Sequence, residues 1–411
     1  MSDVVERFKK YISIDTQSDE ESTTSPSTSK QFRLARLLAD EMIEMGVSNV
    51  RLDDHHCYVY GEVPANPGAD GDPFNVSELP ALGFIAHMDT APGTPGDASN
   101  ARIVENYDGG VIHLNEKVTL DPEIYPELSD YKGCDLIVTD GVSLLGSDDK
   151  AGVAEIMTMA ERFIKDPSIP HGRIGLAFTS DEEVGRGADY FDIEGFNMDY
   201  AYTVDGGRLG ELEFENFNAA EARIHILGRD IHPGYAKDVM VNAVRIAAEL
   251  DAMLPHEQRP EYTDEYEGFI HLTRLVGTGS EAESRYIIRD HDAAMFEQKK
   301  YLIRGYVAYL NSKYGNVITL EMKDQYHNMS ELIKPHMFLI DNAKEAFIAC
   351  GVEPIVIPIR GGTDGVRLTY EGLPCPNLST GGMNFHSNRE YIPVQAMEKM
   401  VEVLMEIVRA K

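Results

Sequence analysis

The sequence predicts an α/β protein in which a mostly parallel-sheet domain is interrupted by a ferredoxin-like α+β insertion. Three observations lead there. Short apolar runs at residues 81–86, 173–179, 200–204 and 354–359 have the length and composition of buried strands. Helical periodicity falls before and between them, at 29–45 and 150–164. From about residue 217 the pattern changes to β-α-β-β-α-β, and near residue 330 the alternation of strand and helix returns.

Taken in order, the helix over 29–45 follows a Ser/Thr-rich stretch and spaces Phe32, Leu34, Leu37, Leu38, Met42 and Ile43 at nearly 3.6 residues. The helix over 150–164 carries Val153, Ile156, Met157, Ala160 and Ile164 on one stripe. The insertion reads as strand ARIHILG, helix VMVNAVRIAAELDAML, strands near Ile270 and Ile287, a long helix from Ala293 and strand NVITLEMK. A chain of 411 residues exceeds what one core usually organises. The expected division is a first domain in two parts, 1–216 and 327–411, around an insertion at 217–326. Pro- and Gly-rich stretches at 64–80 and 91–110 predict surface loops.

Lys and Arg number 37 against 69 Asp and Glu, a net charge of −32. That balance argues against nucleic acid and anionic lipid as partners, since both demand cationic neutralisation, and it attracts metal ions and peptide amino termini. The start, MSDVVERFKKYISIDTQS, lacks the basic and apolar regions of a secretory signal, and no apolar run reaches the roughly 18 residues of a membrane span. A cytoplasmic location is expected. Cys57, Cys134, Cys350 and Cys375 are scattered and read as reduced thiols outside any metal site.

Five motifs carry candidate chemistry. GFIAHMDT places His87 and Asp89 at a strand end, where a carboxylate can orient an imidazole. LLGSDDKAG puts Asp148 and Asp149 at a helix start, as caps or as cation ligands. FTSDEEVG offers Glu182 and Glu183, one able to hold a metal while its neighbour takes a proton. YTVDGG ends another strand with Asp205, and STGGMNFHSNRE sets His386 in a glycine-rich loop. Each alone is compatible with an ordinary turn. Their recurrence after successive apolar strands points to the carboxyl edge of one sheet, where open α/β folds bind ligands.

Together with YTVDGGRLGELEFENFNA, HPG-x-AK-x-VMVNA, YEGF and IRGGTDG, these motifs resemble, in order and over nearly the whole chain, the co-catalytic zinc peptidase family. That family includes glutamate carboxypeptidase, aminoacylase and the tripeptide aminopeptidases. The resemblance implies a zinc-peptidase catalytic domain whose insertion is a lid and dimerisation domain. It implies two zinc ions per subunit, with cobalt or manganese as substitutes: His87 and Asp205 on one, Glu183 and His386 on the other, and Asp148 bridging. Glu182 would be the general base that activates a di-zinc-bound water, and Asp89 would clamp His87. His232 would stabilise the oxyanion in the partner subunit's site of a homodimer. Arg360 would grip the peptide carboxylate and Asn242 would touch substrate, whereas Arg289 reads as structural. The bond between Asp148 and Asp149 is expected to be cis.

The implied activity is release of the amino-terminal residue from short unblocked peptides, chiefly tripeptides, in peptide catabolism. A carboxypeptidase or aminoacylase of the same fold and a silent metal-binding homologue stay open. Tyr235, Asp238 and the SNRE segment after His386 depart from the family pattern at positions that are not ligands. A calcium-binding module is disfavoured, because no acidic loop of the required spacing occurs and two candidate ligands are histidines.

Overall fold

A computed structural model of the chain describes residues 2–68 and 75–409, so residues 69–74 of the expected 64–80 loop lie outside the described residues. The chain forms two compact units. The first comprises Met1–Phe214, Leu332–Ile357 and Thr363–Lys411; the second comprises Glu215–Glu331 and Pro358–Gly362.

The first unit is built on an eight-stranded sheet in the order Ser48–Leu52, Val59–Val63, Ile174–Thr179, Leu82–His87, Tyr200–Gly206, Asn377–Ser379, Glu211–Glu213, Ile355–Val356. Its centre is parallel: Leu82–His87 pairs with Ile174–Thr179 on one side and Tyr200–Gly206 on the other, which in turn pairs with Asn377–Ser379. The register sets His87 opposite Thr179, so the chain leaves neighbouring strands at one carboxyl edge. Phe84, Ile85, Leu176 and Phe178 are fully buried, each contributing about 1.5–3 kcal/mol relative to exposure.

The helix Ser147–Lys165 packs across Leu82–His87 and Tyr200–Gly206, with the helices Asp3–Ile12 and Val394–Val408 against it. Covered on several sides, it buries every residue from Ala151 to Ala160. The expected one-sided stripe is therefore too narrow, and Phe163, not Ile164, continues the core. Asp148 and Asp149 have non-helical backbone angles, so the regular helix begins after them. In the helix Gln31–Met45 the buried set is Gln31, Leu34, Ala35, Leu38, Ala39 and Met42; Ile43 is 62% exposed and does not belong to the expected stripe.

The expected 91–110 loop is partly a strand. Arg102–Val104 joins Leu136–Val138 and Tyr391–Pro393 in a three-stranded antiparallel sheet, whose pairing satisfies backbone groups that a loop would leave to water. The run at 354–359 shortens to the two-residue strand Ile355–Val356.

The second unit is a four-stranded antiparallel sheet ordered Phe269–Gly277, Glu281–Asp290, Asn218–Leu227, Ile318–Tyr326, with helices Ala243–Met253 and Ala293–Tyr314 contributing to its core. This is the ferredoxin-like arrangement. Its strands alternate: Ala220, Ala222, Ile224 and Ile226 are buried, and the residues between them point away from the core. The unit also takes in residues 358–362, which the expected boundaries place elsewhere; Ile359 pairs with Asn216 in a parallel bridge.

Candidate active site

His87 ends its strand 2% exposed, with its backbone N–H donating to Asp149 Oδ2 at 3.1 Å. Its Nδ1 lies 3.1 Å from the carbonyl oxygen of Asp89. A carbonyl only accepts, so Nδ1 carries the proton and, in the neutral ring, Nε2 presents a lone pair. Nε2 lies 2.8 Å from Asp148 Oδ1 and 3.3 Å from Asp205 Oδ1. Across the same carboxylate, His386 Nε2 lies 3.0 Å from Asp148 Oδ2 and 2.8 Å from Glu183 Oε2. Asp148 thus turns one oxygen to each imidazole.

Asp89, fully buried, supports this group from behind. Its Oδ1 is 3.5 Å from His87 Nδ1, and its two oxygens accept the backbone N–H groups of Glu182 and Glu183. Those residues open a short 3-10 turn, Glu182–Val184, after left-handed Asp181. Asp181 is buried too, its oxygens taken by Ser27 and Gln31. The acidic run SDEE is therefore split by position: Asp181 anchors the turn and the glutamates project from it.

Electrostatics follow from crowding acids in a buried place. Burial, then the charge of Asp148, pushes the Glu183 carboxyl up to about 7. Burial likewise raises Asp205 to about 6, although His87 opposes the shift. Burial and Asp205 raise Glu182 well above the usual carboxylate range. Burial disfavours charge on His87, but Asp205, Asp148 and Asp89 outweigh it and raise the imidazole. The hydrogen bonds to Asp148 and Glu183 push His386 up to about 11, and the two histidines hold Asp148 low despite its burial.

Two donor triads have their atoms within 4.8 Å of one another: His87, Asp148 and Glu183, and His87, Asp149 and Asp205. Asp149, however, spends its oxygens on the N–H groups of His87 and Gly152, which makes it a support for the site. Gly152 is itself dictated here: a Cβ would lie 2.0 Å from the carbonyl oxygen of Val204 and 2.5 Å from Asp149 Oδ1. Two imidazole Nε2 atoms and the oxygens of Asp148, Asp205 and Glu183 converge here, and a cation could take the place of the protons that now hold them together. Glu183 Oε1, buried and without a hydrogen-bond partner among the described residues, adds an unspent donor. This donor set fits divalent cations.

The remaining sequence candidates lie in the second unit. His232 begins an exposed turn, where its Nδ1 accepts the N–H of Gly234 at 3.1 Å. Asn242 caps the helix Ala243–Met253 by accepting the N–H of Arg245. Arg360 donates from both Nη atoms to the turn at 263–267, reaching the carbonyl oxygens of Thr263, Glu265 and Glu267, and its guanidinium lies 5.2 Å from the Phe217 ring centroid. The peptide bond between Asp148 and Asp149 is cis. Sequence reasoning passed over Asp364, buried at the site with Oδ2 accepting from Thr179 at 2.8 Å and raised by burial to about 7. Its one signal was an acid inside the glycine-rich IRGGTDG segment.

Residues 143–410 match the model of peptidase family M20/M25/M40. The chain belongs to that family. Peptidase T of Clostridium acetobutylicum is 51% identical over 411 residues, covering 99% of this chain and 98% of that protein. Two solved structures share the fold at lower identity. One, the aminopeptidase PepT of Bacillus cereus, has a TM-score of 0.75 at 24% identity, covering 99% of this chain and 97% of that one. The other, a tripeptidase of Staphylococcus aureus, has a TM-score of 0.77 at 20% identity with the same coverage. The family member is a hydrolase, a metal-dependent peptidase, and the constellation around Asp148 is its candidate metal centre. Among the described residues no helix is long and apolar enough to cross a membrane.

Proposed function

We propose that the protein is a tripeptide aminopeptidase, releasing the amino-terminal residue of short unblocked peptides in peptide catabolism. The observation that carries the chemistry is Asp148, whose two oxygens each face an imidazole Nε2. The specificity rests on the half-identical, full-length likeness to Peptidase T, with the tripeptidase and aminopeptidase structures in support.

His87 and Asp205 would hold one divalent cation, Glu183 and His386 a second, with Asp148 shared; zinc suits this mixed nitrogen and carboxylate set, as cobalt and manganese do. When bound, such cations polarise the scissile carbonyl and acidify a water. Glu182 removes a proton from the attacking water and delivers it to the departing amine. A carboxyl raised by burial holds a proton more readily than an exposed one, which suits a group that must take a proton up and pass it on. Asp89 holds His87 in the required tautomer and pins the amides of Glu182 and Glu183, so base and ligand stay in fixed relation.

For the rest of the chemistry, His232 is proposed to act in the partner's site of a homodimer formed through the second unit, as the family resemblance implies. Arg360 would meet the substrate carboxylate by exchanging its bonds to the 263–267 turn, and Asn242 would contact substrate beside its capping role. A cytoplasmic location is part of this proposal.

Metal-loaded protein assayed against di-, tri- and tetrapeptides, with free and blocked amino termini, tests this reading. Release of the first residue from free tripeptides is expected. Release of the last residue would make it a carboxypeptidase, and no cleavage of any peptide or acylated amino acid would make it a silent homologue.

A further inference from the structure

Glu390 lies four residues beyond His386 and is 1% exposed. Its carboxylate accepts hydrogen bonds from one short stretch of chain. Oε2 takes the backbone N–H groups of Leu145 at 2.8 Å and Gly146 at 2.9 Å. Oε1 takes those of Ser147 at 2.6 Å and Asp148 at 3.1 Å, together with the Ser147 hydroxyl. Four successive amides converging on one anion form an anion-binding nest, and Gly146 at φ 79° supplies the left-handed residue that the curl requires.

The arrangement joins two loops that are distant in sequence. One carries Asp148, whose own N–H is among the donors. The other carries His386, and it is tied down a second time by Asn388 Nδ2 donating to the carbonyl of Gly141 at 2.9 Å. The 3.0 Å separation of His386 Nε2 and Asp148 Oδ2 is thus set by backbone on both sides of Glu390.

We propose that Glu390 is a positioning residue: a buried latch that holds the Asp148 and His386 loops at the spacing the metal centre needs. This rests on the metallopeptidase reading above. In Glu390→Gln the amide oxygen can still serve one group of donors, but the amide nitrogen would oppose the N–H groups facing the other oxygen. The latch then opens on one side while size and most packing are kept.

Chelator competition on purified protein tests it, alongside kcat, KM and thermal melting. Glu390→Gln should bind its more weakly held cation about 10- to 100-fold less tightly, the range typical of groups that support ligands. Its kcat should fall more than its KM changes, and excess metal should restore part of the rate. Should this variant fail to fold, Ser147→Ala, which deletes one donor, should weaken the same cation by a smaller factor. Parental metal affinity and kcat per folded molecule in either variant, even with a lower melting temperature, would overturn the latch alone. A parental protein that bound no divalent cation would overturn the latch and the metallopeptidase reading together.

Discussion

Asp89 Oδ1 accepts the backbone N–H of Glu182 at 3.1 Å, so the loop that leaves the His87 strand also fixes the turn that bears the proposed base. One carboxylate thereby serves an imidazole on one side and two amides on the other. Asp89→Asn keeps the volume but sets an amide nitrogen against one of those N–H groups. We expect kcat for a free tripeptide to drop about 10- to 100-fold at saturating metal, with KM changing less. Steady-state kinetics at parental rates would show that neither contact matters to turnover.

Glu182 and Glu183 should separate cleanly on mutation. Glu182→Gln removes the proton acceptor and should lower kcat by about 10² to 10⁴, while metal content measured by atomic absorption stays at the parental level. Glu183→Gln removes a proposed ligand, and metal content should fall. Equal turnover by Glu182→Gln and parental protein would dismiss the proposed mechanism.

Metal-free protein should become less stable as pH rises. Burial raises Glu183 and Asp364 to about 7 and Asp205 to about 6, above the roughly 4 of exposed acids, so the folded state binds these protons more tightly than the unfolded one. Their stabilising contribution is complete below about pH 4 and is lost as pH climbs through 6 to 7. His386, raised to about 11, has the same sign and loses its contribution between about pH 6.5 and 11. Melting curves of chelated protein between pH 5 and 8 should fall from these groups, and adding zinc at pH 8 should recover stability. A chelated protein that gained stability over that interval would contradict the assignment.

His232 can be tested by complementation. Protein with His232→Ala and protein with Glu182→Gln should each be nearly inactive. After subunit exchange, mixed dimers would pair one intact metal centre with one intact His232, and part of the activity should return. Exchange demonstrated by mass, with no recovery, would argue against a role across subunits.

What the sequence made legible was whatever local periodicity encodes. The apolar runs ending at His87 and Thr179 were readable because both faces of a central parallel strand are covered, leaving continuous apolar residues. Arg102–Val104 and Tyr391–Pro393 were not, since three-residue strands carry no period and each meets its partner only through tertiary pairing. The buried acids were harder still. Asp181, Asp364 and Glu390 look in sequence like solvated charges, and only the amides and hydroxyls gathered around them explain their burial.

The first unit closes only after the chain has completed the second: its first stretch ends at Phe214, and the loop bearing His386 and Glu390 follows Thr363. During synthesis the amino-terminal part emerges first. A nascent polypeptide halted anywhere short of His386 lacks one imidazole of the proposed metal centre and, with Glu390 missing as well, the carboxylate that gathers the amides of the loop around Asp148. Translation products interrupted before His386 would thereby lack a complete candidate centre, so the capacity to cut peptides would arrive only after the whole second unit has been made.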